Sequence, residues 1–185
     1  MKTHVAILYG GISAEHNVSL MSGLTVYKEL LTQEYPLTLI SMSKKGIWYL
    51  QETQEDLEVL PTQEIGKREL VLCPSRGVKL IDETSIVPID VLIPTTHGKG
   101  GEDGILQGIL ETLHIPYIGS SPTSSMISMH KEIAKILVSN QYIPIVPYVS
   151  LLREDVLSLL DKHTITHSIA SLIGYHEYSR ETLED

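Results

Sequence analysis

The chain of 185 residues has no phenylalanine and a single tryptophan, Trp48, so nine tyrosines carry the rest of its aromatic bulk. It has one cysteine, Cys73, which excludes an internal disulfide framework and a cysteine-built zinc site. Cys73 itself reads as a small apolar side chain rather than a nucleophile. Basic residues are scarce: 14 Lys+Arg stand against 23 Asp+Glu, a net charge of −9. A surface of that sign repels phosphate backbones and anionic lipid, which argues against nucleic acid and membrane as partners. No apolar run reaches the roughly 18–20 residues that cross a bilayer. The opening residues run into Gly10-Gly11 too early for a secretion signal. The chain therefore reads as a cytoplasmic protein of about one domain, and its 42% hydrophobic content is enough to build a core.

The hydrophobic pattern predicts an α/β fold with a mostly parallel sheet flanked by helices. Val5 to Tyr9 is a continuous apolar run closed by Gly10-Gly11, the pattern of a strand buried on both faces. A helix is expected over about 15–31, with Val18, Met21, Leu24, Tyr27 and Leu30/Leu31 on its apolar stripe. Leu37 to Met42 reads as a second strand, and Lys44-Lys45-Gly46 as a turn into a third at Ile47 to Leu50. Residues 51–64 are acidic and polar around Pro61 and read as a solvated excursion. Glu69 to Cys73 and Val78 to Ile81 suggest a hairpin, so a β-hairpin excursion is expected around 48–81. Asp90 to Pro94 is another buried strand, Ile105 to Leu113 a helix and Ile115 to Gly119 a short strand. A single helix is expected over Ser124 to Asn140, with a stripe of Met126, Ile127, Met129, Ile133, Ile136 and Leu137. Pro144 and Pro147 then mark an extended segment, and Val156 to Leu160 suggests a last helix.

Two glycine-containing loops follow two strands of this sheet, and ligands of open α/β sheets sit at that edge. The first is Gly10 to His16 and the second His97-Gly98-Lys99-Gly100-Gly101-Glu102-Asp103-Gly104; each places a carboxylate beside a histidine. Glycines let a ligand approach the backbone, and a helix start favours an anionic group. The bland reading of the first loop is a tight strand-to-helix turn, and that of the second is a surface loop capped by Asp103. Three glycines, a histidine and two adjacent carboxylates make the second loop the more specific signal. Glu15 and His97 are therefore expected within side-chain reach of each other. The histidines at 4, 114, 163, 167 and 176 show no metal-ligand spacing.

Both loops resemble motifs of the D-alanine–D-alanine ligase family, the second running on through Ile105-Leu106-Gln107-Gly108 and the first through Asn17-Val18-Ser19-Leu20. Ile115-Pro116-Tyr117-Ile118-Gly119-Ser120 and the helix carrying Met129 and Lys131 follow in matching order, so the resemblance runs from about Val5 to Tyr175. The segment from Trp48 to Ile81 is similar to the longer-insert branch that includes D-alanine–D-lactate ligases. The resemblance implies an ATP-grasp ligase that activates one D-alanine as an acyl phosphate and joins it to a second, for peptidoglycan precursors. It implies Glu15 as the catalytic-site carboxylate holding the substrate ammonium, Val18 against the substrate methyl, and His97 organising that subsite. It implies Lys131 near the nucleotide phosphates, ATP and magnesium as cofactors, D-alanine and ATP as small-molecule partners, and a homodimer. Glu102 and Asp103 read as loop-shaping residues, with Gly101 and Gly104 freeing the turn.

The sequence departs from the family pattern at two places. His130 stands where the family has an aspartate before the lysine. After Gly174-Tyr175 the family continues through a proline into its ATP-grasp domain, whereas this chain reads His176-Glu177-Tyr178 and closes at Asp185. The expected division is a substrate domain over 1–150 and the start of a linker over 151–185. The metal ligands and the choice of D-alanine, D-lactate or D-serine as second substrate then lie outside this chain, which is expected to be inactive alone. The alternatives are a truncated, non-catalytic remnant that binds substrate weakly, and an unrelated phosphate-binding α/β protein.

Overall fold

A computed structural model of the chain describes residues 2–53, 57–62, 68–75 and 77–150. The elements run β1 (Val5–Gly10), α1 (His16–Thr32), β2 (Leu37–Met42), β3 (Trp48–Gln51), β4 (Leu70–Cys73), β5 (Gly77–Leu80), β6 (Ile86–Val87), β7 (Val91–Pro94), α2 (Ile105–Thr112), α3 (Pro122–Met129) and α4 (Lys131–Asn140). Contacts divide the chain into two compact units, Met1–Lys131 and Glu132–Asp185.

In the first unit a four-stranded sheet has the order β3-β2-β1-β7. β1 pairs in parallel with β2 (Val5 opposite Leu37) and with β7 (Val5 opposite Val91). All six residues of β1 are buried because helices or a second sheet cover both faces of the strand. Ala6 and Leu8 point into one core with Ile40, Leu92, Leu106 and Leu110, while Ile7 and Tyr9 point into the other with Tyr27, Leu39 and Leu60.

Several sequence expectations need correction. The expected excursion divides in two: β3 joins the main sheet as an antiparallel edge beside β2, and β4, β5 and β6 form a separate three-stranded antiparallel sheet. Residues 51–64 are not wholly solvated, since Leu60 is buried and the Pro61 carbonyl accepts a 2.7 Å hydrogen bond from the Tyr9 hydroxyl. The buried face of α1 is His16, Ser19, Gly23 and Tyr27, whereas Val18 and Met21 are exposed. Small side chains decide this: a Cβ on Gly23 would lie 3.0 Å from Tyr9 Cβ and 2.8 Å from Leu60 Cδ1, so the helix seats on the sheet only through that face. The expected helix 124–140 is two, α3 and α4, interrupted at His130, whose backbone is extended (φ −86°, ψ 92°). Ser121 caps α3 by accepting from Ser124 N, with Pro122 in the first turn. The apolar side chains Met126, Met129, Ile133, Ile136 and Leu137 are exposed rather than buried. The short strand at 115–119 reduces to one parallel bridge, Leu92 to Tyr117.

The second unit is described only through residue 150. There α4 leads into an extended segment held by Lys135, whose Nζ donates to Val146 O at 3.0 Å and sits 4.9 Å above the Tyr148 ring. The helix expected near 156–160 lies outside the described residues. No helix among the described residues is long and apolar enough to cross a membrane.

Burial, and secondarily Tyr27, pushes the Tyr9 hydroxyl far above its ordinary range. A hydroxyl that resists ionisation only in the folded state contributes stability below the unfolded value of about 10, and that contribution is lost as pH rises further. Tyr9→Phe is expected to flatten this alkaline loss while lowering neutral-pH stability by about 1 kcal/mol, the cost of the lost hydrogen bond to Pro61 O. Urea midpoints at pH 7 and pH 11 check both; equal alkaline losses in the two proteins would contradict it.

Candidate functional site

The first loop starts where β1 meets its neighbours. Gly10 and Gly11 have φ of 90° and 112°, and Gly11 N donates to Met42 O at 2.9 Å. Gly10 N donates to Ser19 Oγ at 2.8 Å, and Ser19 Oγ in turn donates to Thr95 O at 2.7 Å. One buried hydroxyl thus joins the end of β1, the start of α1 and the strand exit that feeds the second loop.

The two loops also touch directly. Ser13 Oγ donates to His97 O at 2.7 Å and accepts from Glu15 N at 3.1 Å. Glu15 is the N-terminal flanking residue of α1, with no side-chain cap of its own. A Cβ built on Gly98 would lie 2.6 Å from Glu15 Oε2, so the carboxylate rests against the backbone of the residue next to His97. Glycine at 98 (φ 67°) is required both by the backbone angle and by this approach.

The His97 ring is held from two sides. Nε2 lies 2.9 Å from Ser22 Oγ, and Nδ1 lies 3.4 Å from Glu102 Oε1. Facing a carboxylate, Nδ1 is the donating nitrogen of the ring, and the Ser22 hydroxyl, which can donate or accept, is the partner of Nε2. The imidazole is therefore positioned by Ser22 and Glu102, and it is the His97–Gly98 backbone that meets the first loop. Glu102 Oε2 also accepts from Gly98 N at 2.7 Å, while Asp103 accepts from Gly100 N at 2.8 Å and from Ile105 N at 3.2 Å. Both carboxylates shape the loop, as expected of them. Turn freedom falls at Gly104 as expected, but not at Gly101. Positive φ occurs at Gly98, Gly100 and Gly104, whereas Gly101 is needed because a Cβ there would lie 2.7 Å from Thr96 Oγ1.

Sequence reasoning missed Ser13, Ser19, Ser22, Thr96 and Gln107. Ser19 and Ser22 fall at i, i+3 on α1, a spacing that puts small polar groups on one helix face. Gln107 Nε2 donates to Gly101 O at 2.8 Å from the first turn of α2. Among the described residues, Thr96 Oγ1 and Gln107 Oε1 are buried without a partner. They border a cavity of about 320 Å³ shared with His97, Glu102, Ser125 and Ser128. Val18 is half exposed in the first turn of α1, and Lys131 is exposed at the start of α4 with no ion pair among the described residues.

Residues 4–120 match the family model described as "D-ala D-ala ligase N-terminus". The chain belongs to the D-alanine–D-alanine ligase family. It is 35% identical over 163 residues to the D-alanine–D-alanine ligase of Treponema denticola, covering 82% of this chain and 44% of that protein. The solved D-alanine–D-alanine ligase of Coxiella burnetii superposes with a TM-score of 0.78 at 28% identity, over 94% of this chain and 50% of that one. The VanG D-Ala:D-Ser ligase of Enterococcus faecalis gives 0.70 at 28% identity, over 93% and 50%. The chain thus spans about half the length of the family members it matches. The sheet order and loop contacts described above are the form this family's N-terminal portion takes here.

Proposed function

We propose that this chain is the first-substrate portion of an ATP-dependent D-alanine–D-alanine ligase, with Glu15, Val18 and His97 forming the D-alanine subsite and Lys131 serving the nucleotide phosphates. The observation that supports this most is the seating of the Glu15 carboxylate against Gly98, with the two loops tied by Ser13. A carboxylate fixed at a loop junction offers charge-assisted hydrogen bonds to an ammonium group. Val18, exposed on the next turn, offers an apolar contact for a methyl. Ser22 and Glu102 set the orientation of the His97 ring before substrate arrives, which removes ordering cost from binding.

ATP with magnesium supplies the carboxyl activation of this chemistry when bound. Lys131, unpaired and exposed, suits a phosphate as a point charge. No group of three His, Cys, Asp or Glu among the described residues could hold a metal, so the described residues do not by themselves form a magnesium site. The reading places the product in peptidoglycan precursor synthesis in the cytoplasm, with a homodimer as the assembled form. Acyl phosphate formation depends on positioned phosphates and neutralised charge, and one candidate phosphate lysine does not provide that. The chain alone is therefore expected to bind D-alanine at millimolar levels or weaker and to release no phosphate from ATP.

The test is a titration of the 15N-labelled chain with D-alanine and with L-alanine, alongside a phosphate-release assay with ATP and magnesium. D-alanine should shift the amides of Glu15 and Gly98, L-alanine should act more weakly, and Glu15→Gln should abolish the response. Shifts unaffected by Glu15→Gln would end the substrate assignment. Sustained dipeptide formation that disappears in Glu15→Gln would show that the chain is a complete enzyme.

A further inference from the structure

A second cavity, of about 260 Å³, opens at the ends of β1 and β2, and its lining includes His16, Ser41, Ser43, Lys44, Lys45 and Thr62. We propose that this cavity is a binding site for a phosphoryl dianion, as inorganic phosphate or a small phosphomonoester. It does not depend on the D-alanine reading, because it shares neither Glu15 nor His97.

The turn after β2 builds the cationic wall. Ser43 is buried, and its Oγ accepts from Lys45 N at 3.3 Å and Ile47 N at 3.1 Å, which folds the chain back so that Lys44 and Lys45 both border the cavity. Among the described residues neither lysine has an ion pair, and no carboxylate lines the cavity. In a chain of net charge −9, two adjacent ammonium groups with no ion pair among the described residues make the cleft locally cationic and attract anions.

The floor is preorganised by His16. This side chain is only 8% exposed, and its Nδ1 lies 2.8 Å from Gly11 O. A carbonyl can only accept, so Nδ1 carries a proton and the ring orientation is set. Nε2 has no partner among the described residues, yet it is not among the atoms sealed from solvent. In the neutral ring it is an oriented acceptor, open to a ligand hydroxyl such as P–OH.

The donor set favours phosphate over a carboxylate. Lys44, Lys45 and Thr62 border the cavity with two ammonium donors and a hydroxyl, which suits the several oxygens and double charge of a phosphoryl group better than a planar monoanion, while Nε2 of His16 accepts from the P–OH or from a hydroxyl of the substituent. The volume falls below the roughly 300–1,000 Å³ typical of sites for larger organic ligands, so the substituent is small. The position, beyond the carboxyl ends of parallel strands, is where open α/β sheets bind ligands.

The test titrates the 15N-labelled chain with inorganic phosphate, glycerol phosphate and acetate at constant ionic strength. Phosphate should give saturable shifts at His16 and at residues 43–46, with a Kd on the order of 1 mM. Acetate should bind at least about tenfold more weakly, and glycerol phosphate binding more tightly than phosphate would identify a phosphomonoester as the ligand. Lys44→Ala combined with Lys45→Ala should weaken phosphate binding at least about tenfold, while Lys28→Ala, an exposed cation on α1, should leave it unchanged. Both lysines are exposed, so the double variant should keep its unfolding midpoint. Shifts that never saturate, acetate binding as tightly as phosphate, or a double variant that binds normally would each overturn the proposal.

Discussion

Gly10→Ala is expected to cost about 3–5 kcal/mol of folding stability, combining left-handed backbone strain with overpacking, each on the order of 1–3 kcal/mol. Gly10 has φ of 90°, and a Cβ there would lie 2.3 Å from Met42 O and 3.0 Å from His16 Cε1. Met42 O cannot retreat freely, because it accepts from Gly11 N and belongs to a residue paired with Gly10 in the parallel β1–β2 register. Relief requires separating two central strands. A loss of this size is a large fraction of the 5–15 kcal/mol typical of a whole domain. Urea denaturation should show a much lower midpoint at an unchanged slope, and a loss under about 1 kcal/mol would refute the account.

Ser19→Ala is expected to cost about 2–4 kcal/mol, since it strands two backbone groups at about 1–3 kcal/mol each. Ser19 is wholly buried, and its hydroxyl accepts from Gly10 N while donating to Thr95 O. No water reaches the site to replace it. The same change should loosen the joint between the two loops, so the Gly10 amide should exchange with solvent faster than in the unaltered chain. Thr25→Ala is the control: among the described residues the side chain of this exposed residue of α1 bonds only to its own helix, at Met21 O, and the change should alter stability by no more than about 0.5 kcal/mol. Equal effects of the two substitutions would show that the Ser19 bridge carries no energy.

Elements with strong local signals were legible before any coordinates. The apolar run of β1 closed by Gly10-Gly11, the length of α1, and the turn at Lys44-Lys45-Gly46 all follow from periodicity and turn chemistry, and the structure keeps them within a residue or two. Both site loops were legible because their glycine and carboxylate content is unusual for a strand-to-helix turn. The contacts inside those loops were not. Ser13, Ser19 and Ser22 carry no signal as isolated serines, and only their partners Thr95 and His97, brought in from another strand, give them a role. The break at His130 was hidden as well, because the apolar spacing of α3 continues unchanged into α4.

By itself the sequence determined the α/β class, the order of the elements and the two loops at the sheet edge. Each of these depends on neighbours within a few residues: a run of apolar side chains, a glycine, a cap. Tertiary structure alone decided which face of α1 is buried. Counting apolar residues points to Val18 and Met21, yet the helix seats through Ser19 and Gly23, because the close approach to Tyr9 and Leu60 leaves no room for larger side chains. It also decided that Glu15 rests against Gly98, although more than eighty residues separate them. The parallel pairing of β1 and β7 places their exits side by side, and no local pattern in either loop encodes that pairing.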